Sequence, residues 1–150
     1  TCLMEARGFK AEDFAEMHPG GALGKRLYTR LNDLLDAQCR PNVNPGSTLS
    51  EVVLQMSQGR CGATAVTDNG QVVGIITDGD LRRHLEGAPS TPTTARDLMS
   101  TDPKTLEGQR LAVYAFQVME QHAISQIIVT QEDAYAGMVH LHDLIKEGII

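Results

Sequence analysis

The residues best arranged for chemistry lie at one strand-to-helix corner, Gly74-Ile-Ile-Thr77-Asp78-Gly79-Asp80-Leu81. Two apolar residues bury the strand, and the glycine before them permits close backbone approach. The Thr77 hydroxyl then falls where a helix begins, beside unpaired amides and the positive end of the helix dipole. Asp80, three residues on, sits in the first helical turn, where its carboxylate could accept both hydroxyls of a ribose. Thr77 and the amides could meanwhile hold a phosphate. The same pattern also fits a ligand-free corner in which Thr77 caps the helix and Asp80 complements its dipole. A second corner, Gly137-Met-Val-His140-Leu-His142-Asp143-Leu144, repeats the arrangement with an imidazole in place of the hydroxyl.

Other constellations are weaker. His140 and His142 share a face if the strand continues through them, a spacing that can bind zinc, with His122 or His84 as unplaced third ligands. A strand end followed by a helix cap explains the same pair. Gly20-Gly21-Ala-Leu-Gly24-Lys25-Arg26 looks like a phosphate-binding loop only superficially: Pro19 occupies the first glycine position and Arg26 replaces the magnesium-binding hydroxyl. Cys2, Cys39 and Cys61 are odd in number and lack C-x-x-C spacing, so they read as reduced thiols of a cytoplasmic protein.

The elements that carry the corners come in duplicate. A shift of 63 positions pairs Met56 with Met119, Val66 with Val129, Gly74 with Gly137, Asp80 with Asp143 and Leu81 with Leu144. One register step upstream, residues 31–35 pair with 95–99, so two copies occupy about 31–88 and 95–150. In the first copy Thr48-Leu-Ser-Glu51 is a capping box. Leu49, Val52, Val53 and Met56 then recur at helical spacing, and Gly59 closes the helix. Residues 63–67 and 72–76 read as strands around an Asp68-Asn69-Gly70 turn, and 78–85 as a helix. The second copy predicts a helix over 111–121, strands over 126–130 and 135–140 around a turn, and a helix over 142–146. Neither copy has a large core for its length, so the two are expected to pack face to face, with the corners on a common crevice. Residues 1–30 carry no copy; 11–17 reads as a short helix followed by a Gly-rich connector. An opening Thr1 suggests a piece cut from a longer protein.

Composition excludes several functions. Thirteen Lys and Arg against nineteen Asp and Glu give a net charge of −6, and the most concentrated cationic cluster is Lys25, Arg26 and Arg30. A nucleic-acid binder needs a basic stripe, and base stacking needs more than three Tyr, three Phe and no Trp. No apolar run approaches membrane-spanning length, and with no basic stretch followed by an apolar one at its opening the sequence leads to no expectation of a secretory signal.

The duplicated unit with Gly-Ile-Ile-Thr-Asp-Gly-Asp-Leu resembles the cystathionine-β-synthase (CBS) domain pair over about 120 residues. The resemblance implies an α/β fold of two β-α-β-β-α modules related by pseudo-two-fold symmetry. It also implies a cleft that binds adenosyl and related nucleotides. Carried over, Thr77 and Asp80 fall on the phosphate- and ribose-contacting positions, and His140 and Asp143 on their equivalents. His140 stands where the family has Ser or Thr and could act as a pH-sensitive anion donor.

Residues 6–9 and 12–24, which include His18-Pro19-Gly20-Gly21, and the ending Val139-His140-Leu141-His142-Asp143-Leu144-Ile145-Lys146-Glu147-Gly148 are similar to bacterial arabinose-5-phosphate isomerases of the KpsF/KdsD type. That resemblance implies a preceding sugar-isomerase (SIS) domain, with residues 1–30 as its tail and linker. It gives His18 an acid/base role in interconverting ribulose 5-phosphate and arabinose 5-phosphate, on the route to Kdo in lipopolysaccharide or capsule. No catalytic cofactor is implied, and an adenosine nucleotide or CMP-Kdo is the expected regulator. The expected assembly is a homo-oligomer, a dimer of CBS pairs within a tetramer. The chain alone lacks the catalytic domain and is expected to be inactive. The rival expectation is an assembly module that binds nothing.

Overall fold

Duplication in the sequence becomes duplication in space. The computed structural model describes residues 22–36, 40–59, 61–87 and 93–150. Helices α1 (Ala22–Tyr28) and α2 (Leu31–Leu34) precede a β-α-β-β-α unit of β1 (Asn42–Val43), α3 (Leu49–Gly59), β2 (Ala63–Asp68), β3 (Gln71–Thr77) and α4 (Asp78–Glu86). Helix α5 (Ala95–Leu98) and strand β4 (Ser100–Thr101) then lead into the second unit. It comprises β5 (Thr105–Glu107), α6 (Ala112–His122), β6 (Gln126–Gln131), β7 (Ala134–His140) and α7 (Leu141–Lys146). In each unit the first strand pairs parallel to the second and the second antiparallel to the third. Matching irregularities fall at Val66/Thr67 and Val129/Thr130.

Local chemistry explains the elements. The amide of Thr48 donates to Glu51 Oε2 at 3.0 Å and that of Glu51 to Thr48 Oγ1 at 3.2 Å, the capping box read from the sequence. Val52 and Met56 face the core, whereas Val53 and Leu54 are exposed at 44% and 55%. The predicted apolar stripe is therefore narrower than its composition suggested. Asn69 and Gly70 adopt the positive φ that the hairpin requires, 53° and 82°.

The strands order as β1-β2-β3-β7-β6-β5, with β4 added on β3. The two halves meet at the hairpin tips, where Gln71 pairs with Ala134 and the Tyr135 amide donates to the Gly70 carbonyl at 3.0 Å. Between them lies an apolar layer of Cys61, Ala63, Ala65, Ile128 and Met138, bordered by Val72, Ile75 and Tyr135. Tyr135 also donates its hydroxyl to the Pro41 carbonyl at 2.6 Å, and burial pushes the phenol well above its ordinary pKa.

The leading helices cross over. Leu31 is fully buried in the core of the second half, with Ala112, Ala115, Met119, Ile127, Val129, Val139 and Leu144. Ala95 and Leu98 lie in the core of the first, with Val52, Met56, Val66 and Ile76. Backbone bonds fix the exchange: Leu31 N to Arg110 O at 2.9 Å, Asn32 N to Gly108 O at 3.0 Å and Ala95 N to Ser47 O at 2.9 Å. The matched glycines make room for it. A Cβ on Gly74 would meet Met99 Sδ at 2.7 Å, and one on Gly137 would meet Leu35 Cδ2 at 2.8 Å. The Gly-rich connector expected after residue 20 is helical from Ala22, and Arg26 Nε of that helix donates to the Ile149 carbonyl at 2.7 Å. This contact anchors α1 to the second half. Residues 11–17 lie outside the described residues. Among the described residues no helix is long and apolar enough to cross a membrane.

Candidate functional site

The first corner is closed on itself. Thr77 is the N-cap of α4, and its amide and hydroxyl donate to Asp80 Oδ2 at 2.9 and 3.1 Å. The other oxygen, Oδ1, accepts from the Arg83 guanidinium and from Ser100 Oγ at 3.3 Å. Capping by itself assigns no ligand. Asp33, Asp97 and Asp143 each accept the amide three residues back, at 2.8, 3.0 and 2.8 Å. Asp80 is set apart by its surroundings: it is a carboxylate only 8% exposed, with its second oxygen committed to a guanidinium.

Asp80 lines a cavity of about 260 Å³ with Ile75, Thr77 and Arg83 from the first half and Ser100–Lys104, Ile124 and Gln126 from the second. The opposite wall is held in register by Gln126, whose side-chain amide donates to the Cys61 carbonyl at 2.9 Å. The second corner lines a different cavity of about 250 Å³. Its walls are Met138, His140, His142, Asp143 and Lys146 from the second half, with Leu34, Asp36, Gly59 and Cys61 from the first. Among the described residues the two cavities share no wall residue, which corrects the expectation of a common crevice. Each corner's cavity takes part of its wall from the other copy, so the pseudo-two-fold relation yields a pocket at each corner.

The corners differ in chemistry. His140 Nδ1 accepts the His142 amide at 3.0 Å, which leaves the neutral ring's proton on Nε2. The two imidazoles stack with centroids 4.6 Å apart and 14° between planes. Burial holds His140 below the ordinary histidine pKa; the neighbouring His142 adds to the shift and Asp143 opposes it. A ring committed to a cap through Nδ1 has only Nε2 to offer a ligand. Among the described residues no cluster of three or more His, Cys, Asp or Glu is placed to hold a metal ion. His84 Nε2 lies 2.7 Å from Thr93 Oγ1, and His122 ends α6 on the surface. Neither lines the His140 cavity. His18 lies outside the described residues.

Arg83, Ser100, Lys104 and Asp36 line the cavities but did not emerge from the sequence. Arg83 carried a signal, being one helical turn from Asp80, whereas the others approach only through the fold.

Comparison with known proteins agrees with this architecture. The CBS domain family matches residues 40–87 and again 95–149. The chain belongs to the CBS domain family. Arabinose 5-phosphate isomerase KdsD of Pseudomonas aeruginosa is 39% identical over 152 residues, 99% of this chain and 47% of that protein. The Escherichia coli K12 enzyme of the same name is 36% identical over 153 residues, again 47% of its length. The chain thus spans about half the length of these curated relatives. Among solved structures, a CBS domain protein from Pyrobaculum aerophilum complexed with AMP superposes with a TM-score of 0.68 at 19% identity. The match covers 77% of this chain and 89% of that one. CBSX2 in complex with AMP gives 0.66 at 16% identity, covering 79% and 91%. These likenesses give the CBS-pair fold.

Proposed function

We propose that this chain is the regulatory CBS pair of an arabinose-5-phosphate isomerase, and that it binds a nucleotide at the Thr77–Asp80 corner. The observation that carries the reading is the nearly buried Asp80 carboxylate in a cavity built from both copies. The AMP held by two proteins of like fold supports the ligand class. A ribose diol would use Asp80, and a phosphate the Thr77 hydroxyl and nearby cations. The His140–Asp143 cavity offers the same carboxylate with an imidazole cap and would be the weaker of the two sites. A ligand that spans both halves could shift their arrangement and so adjust an attached SIS domain. CMP-Kdo is the feedback alternative to an adenosine nucleotide. The whole protein would be a cytoplasmic aldose–ketose isomerase of the Kdo route in lipopolysaccharide or capsule synthesis, with His18 in its active site. It would assemble through CBS dimers into a tetramer, with units 31–88 and 95–150 following the tail at 1–30. Purified residues 1–150 should not turn over arabinose 5-phosphate; measurable turnover would refute that part.

One observation favours a second reading, that of an assembly module without a ligand. Asp80 is fully satisfied by Thr77, Arg83 and Ser100 as it stands. A thermal-shift panel of nucleotides separates the two. Stabilisation that grows with concentration is expected of a site, and a flat response across the panel leaves only the tether.

A further inference from the structure

We infer that Arg83 makes the Asp80 cavity select a phosphorylated nucleoside over a bare one, by first occupying the ribose-binding carboxylate and then being transferred to the phosphate. The inference rests on the nucleotide reading above. Of the two Asp80 oxygens, Oδ2 is fixed by the Thr77 amide and hydroxyl, and withdrawing it would undo the helix cap. The oxygen left for a ribose diol is Oδ1, which the Arg83 guanidinium already holds, with Ser100 Oγ as a longer second donor at 3.3 Å. A ribose that takes this oxygen competes with these donors, of which Arg83 is the charged one.

The two partners differ in freedom. The Asp80 side chain is 7% exposed and that of Arg83 69% exposed, so the carboxylate is the fixed member and the guanidinium the mobile one. Displacement by a nucleoside breaks a charge-assisted bond and leaves the guanidinium with only solvent. Displacement by a nucleoside phosphate breaks the same bond and supplies a new anion, which a guanidinium can grip through two parallel hydrogen bonds. The cavity's other charges agree. Among the described wall residues, with Asp80 committed to the sugar, Arg83 and Lys104 outnumber the one remaining carboxylate, Asp102. Among the described wall residues of the His140 cavity there is no arginine, and the lysine there, Lys146, is matched by Asp36 as well as Asp143.

Isothermal titration of this chain with adenosine and with AMP, wild type against Arg83→Gln, tests the proposal through the opposite signs it demands. The wild type should bind AMP about tenfold or more tightly than adenosine. R83Q should bind adenosine several-fold more tightly than the wild type, because the competitor is gone, and AMP about tenfold more weakly. Arg83→Lys should keep part of the AMP preference through charge alone. Equal shifts of both ligands in R83Q, or no shift in either, would overturn the role of Arg83 and leave the nucleotide site standing. A wild type that binds neither ligand would remove the nucleotide reading itself.

Discussion

The Thr77 and His140 corners descend from one repeated pattern and share a backbone design, yet they offer a ligand different chemistry. At both, an aspartate three residues into the helix accepts the amide of the cap residue, at 2.9 Å for Asp80 and 2.8 Å for Asp143. At the first, the cap is a hydroxyl and the spare carboxylate oxygen is held by an arginine in a cavity with Lys104. At the second, the cap is an imidazole whose Nδ1 is used locally and whose neighbour is a stacked histidine. A repeat thus keeps what the backbone needs and leaves free what only a ligand would need. The same split appears in the leading segments, where each copy's short helix completes the core of the other half. Stability is shared between the halves and each cavity draws walls from both, while the cap chemistry is local to each corner.

The comparison can be broken most directly through the crossed helices. Leu31→Ala removes a fully buried side chain from the second core and should cost about 2–5 kcal/mol. Hydrogen exchange should show β6 and β7 losing protection first, although Leu31 opens the first copy in the chain. Leu98→Ala, from a side chain 6% exposed in the first core, should loosen β2 and β3 instead. Loss of protection in each mutant's own copy would contradict the exchange.

Next in size are the paired glycines. Gly74→Ala should cost about 1–3 kcal/mol in denaturant melts. Its Cβ would press on Met99 Cβ and Cγ at 3.0 Å as well as on the sulfur. Gly137→Ala should cost less, because its Cβ meets only the movable end of Leu35 within 3 Å. Equal losses would mean that the two sheet–helix contacts give way alike.

Among the site residues, Asp80→Ala should weaken nucleotide binding at least tenfold, about 1.4 kcal/mol. Part of any loss in melting temperature would come from the cap rather than the site. The smallest effect is electrostatic. The His140 pKa is lowered in the folded chain, so the unfolded chain binds more protons as pH falls below the ordinary histidine value of 6.5. Its contribution to stability is complete above that pH and is lost as pH falls through the folded value. Imidazole NMR should place the His140 midpoint below 6.5, and His140→Thr should remove its share of the acid-side slope. A midpoint at or above 6.5 would contradict the burial argument.

Much of the fold was readable because repetition doubles a weak signal. Both hairpins, both long helices and the capping box at Thr48 lie within a residue or two of their expected bounds. The short strands β1, β4 and β5 were not assigned residues, since two or three residues in extended form carry no periodicity to detect. The crossing of residues 31–35 into the second half was hidden for another reason. Leu31 and Leu98 look alike in a pattern of apolar spacing, and only long-range packing decides which core each fills. For the site, Thr77 and Asp80 were legible from corner chemistry. Ser100, Lys104 and Gln126 reach that cavity only because β4 adds to β3 and the second half packs across it.

Titration calorimetry with AMP on three chains (wild type, Asp80→Asn and Asp143→Asn) tests the inequality of the two corners most directly. One tight site per chain is expected, lost in D80N and kept in D143N. Tight binding that survives D80N and disappears in D143N, or falls equally in both, would contradict it.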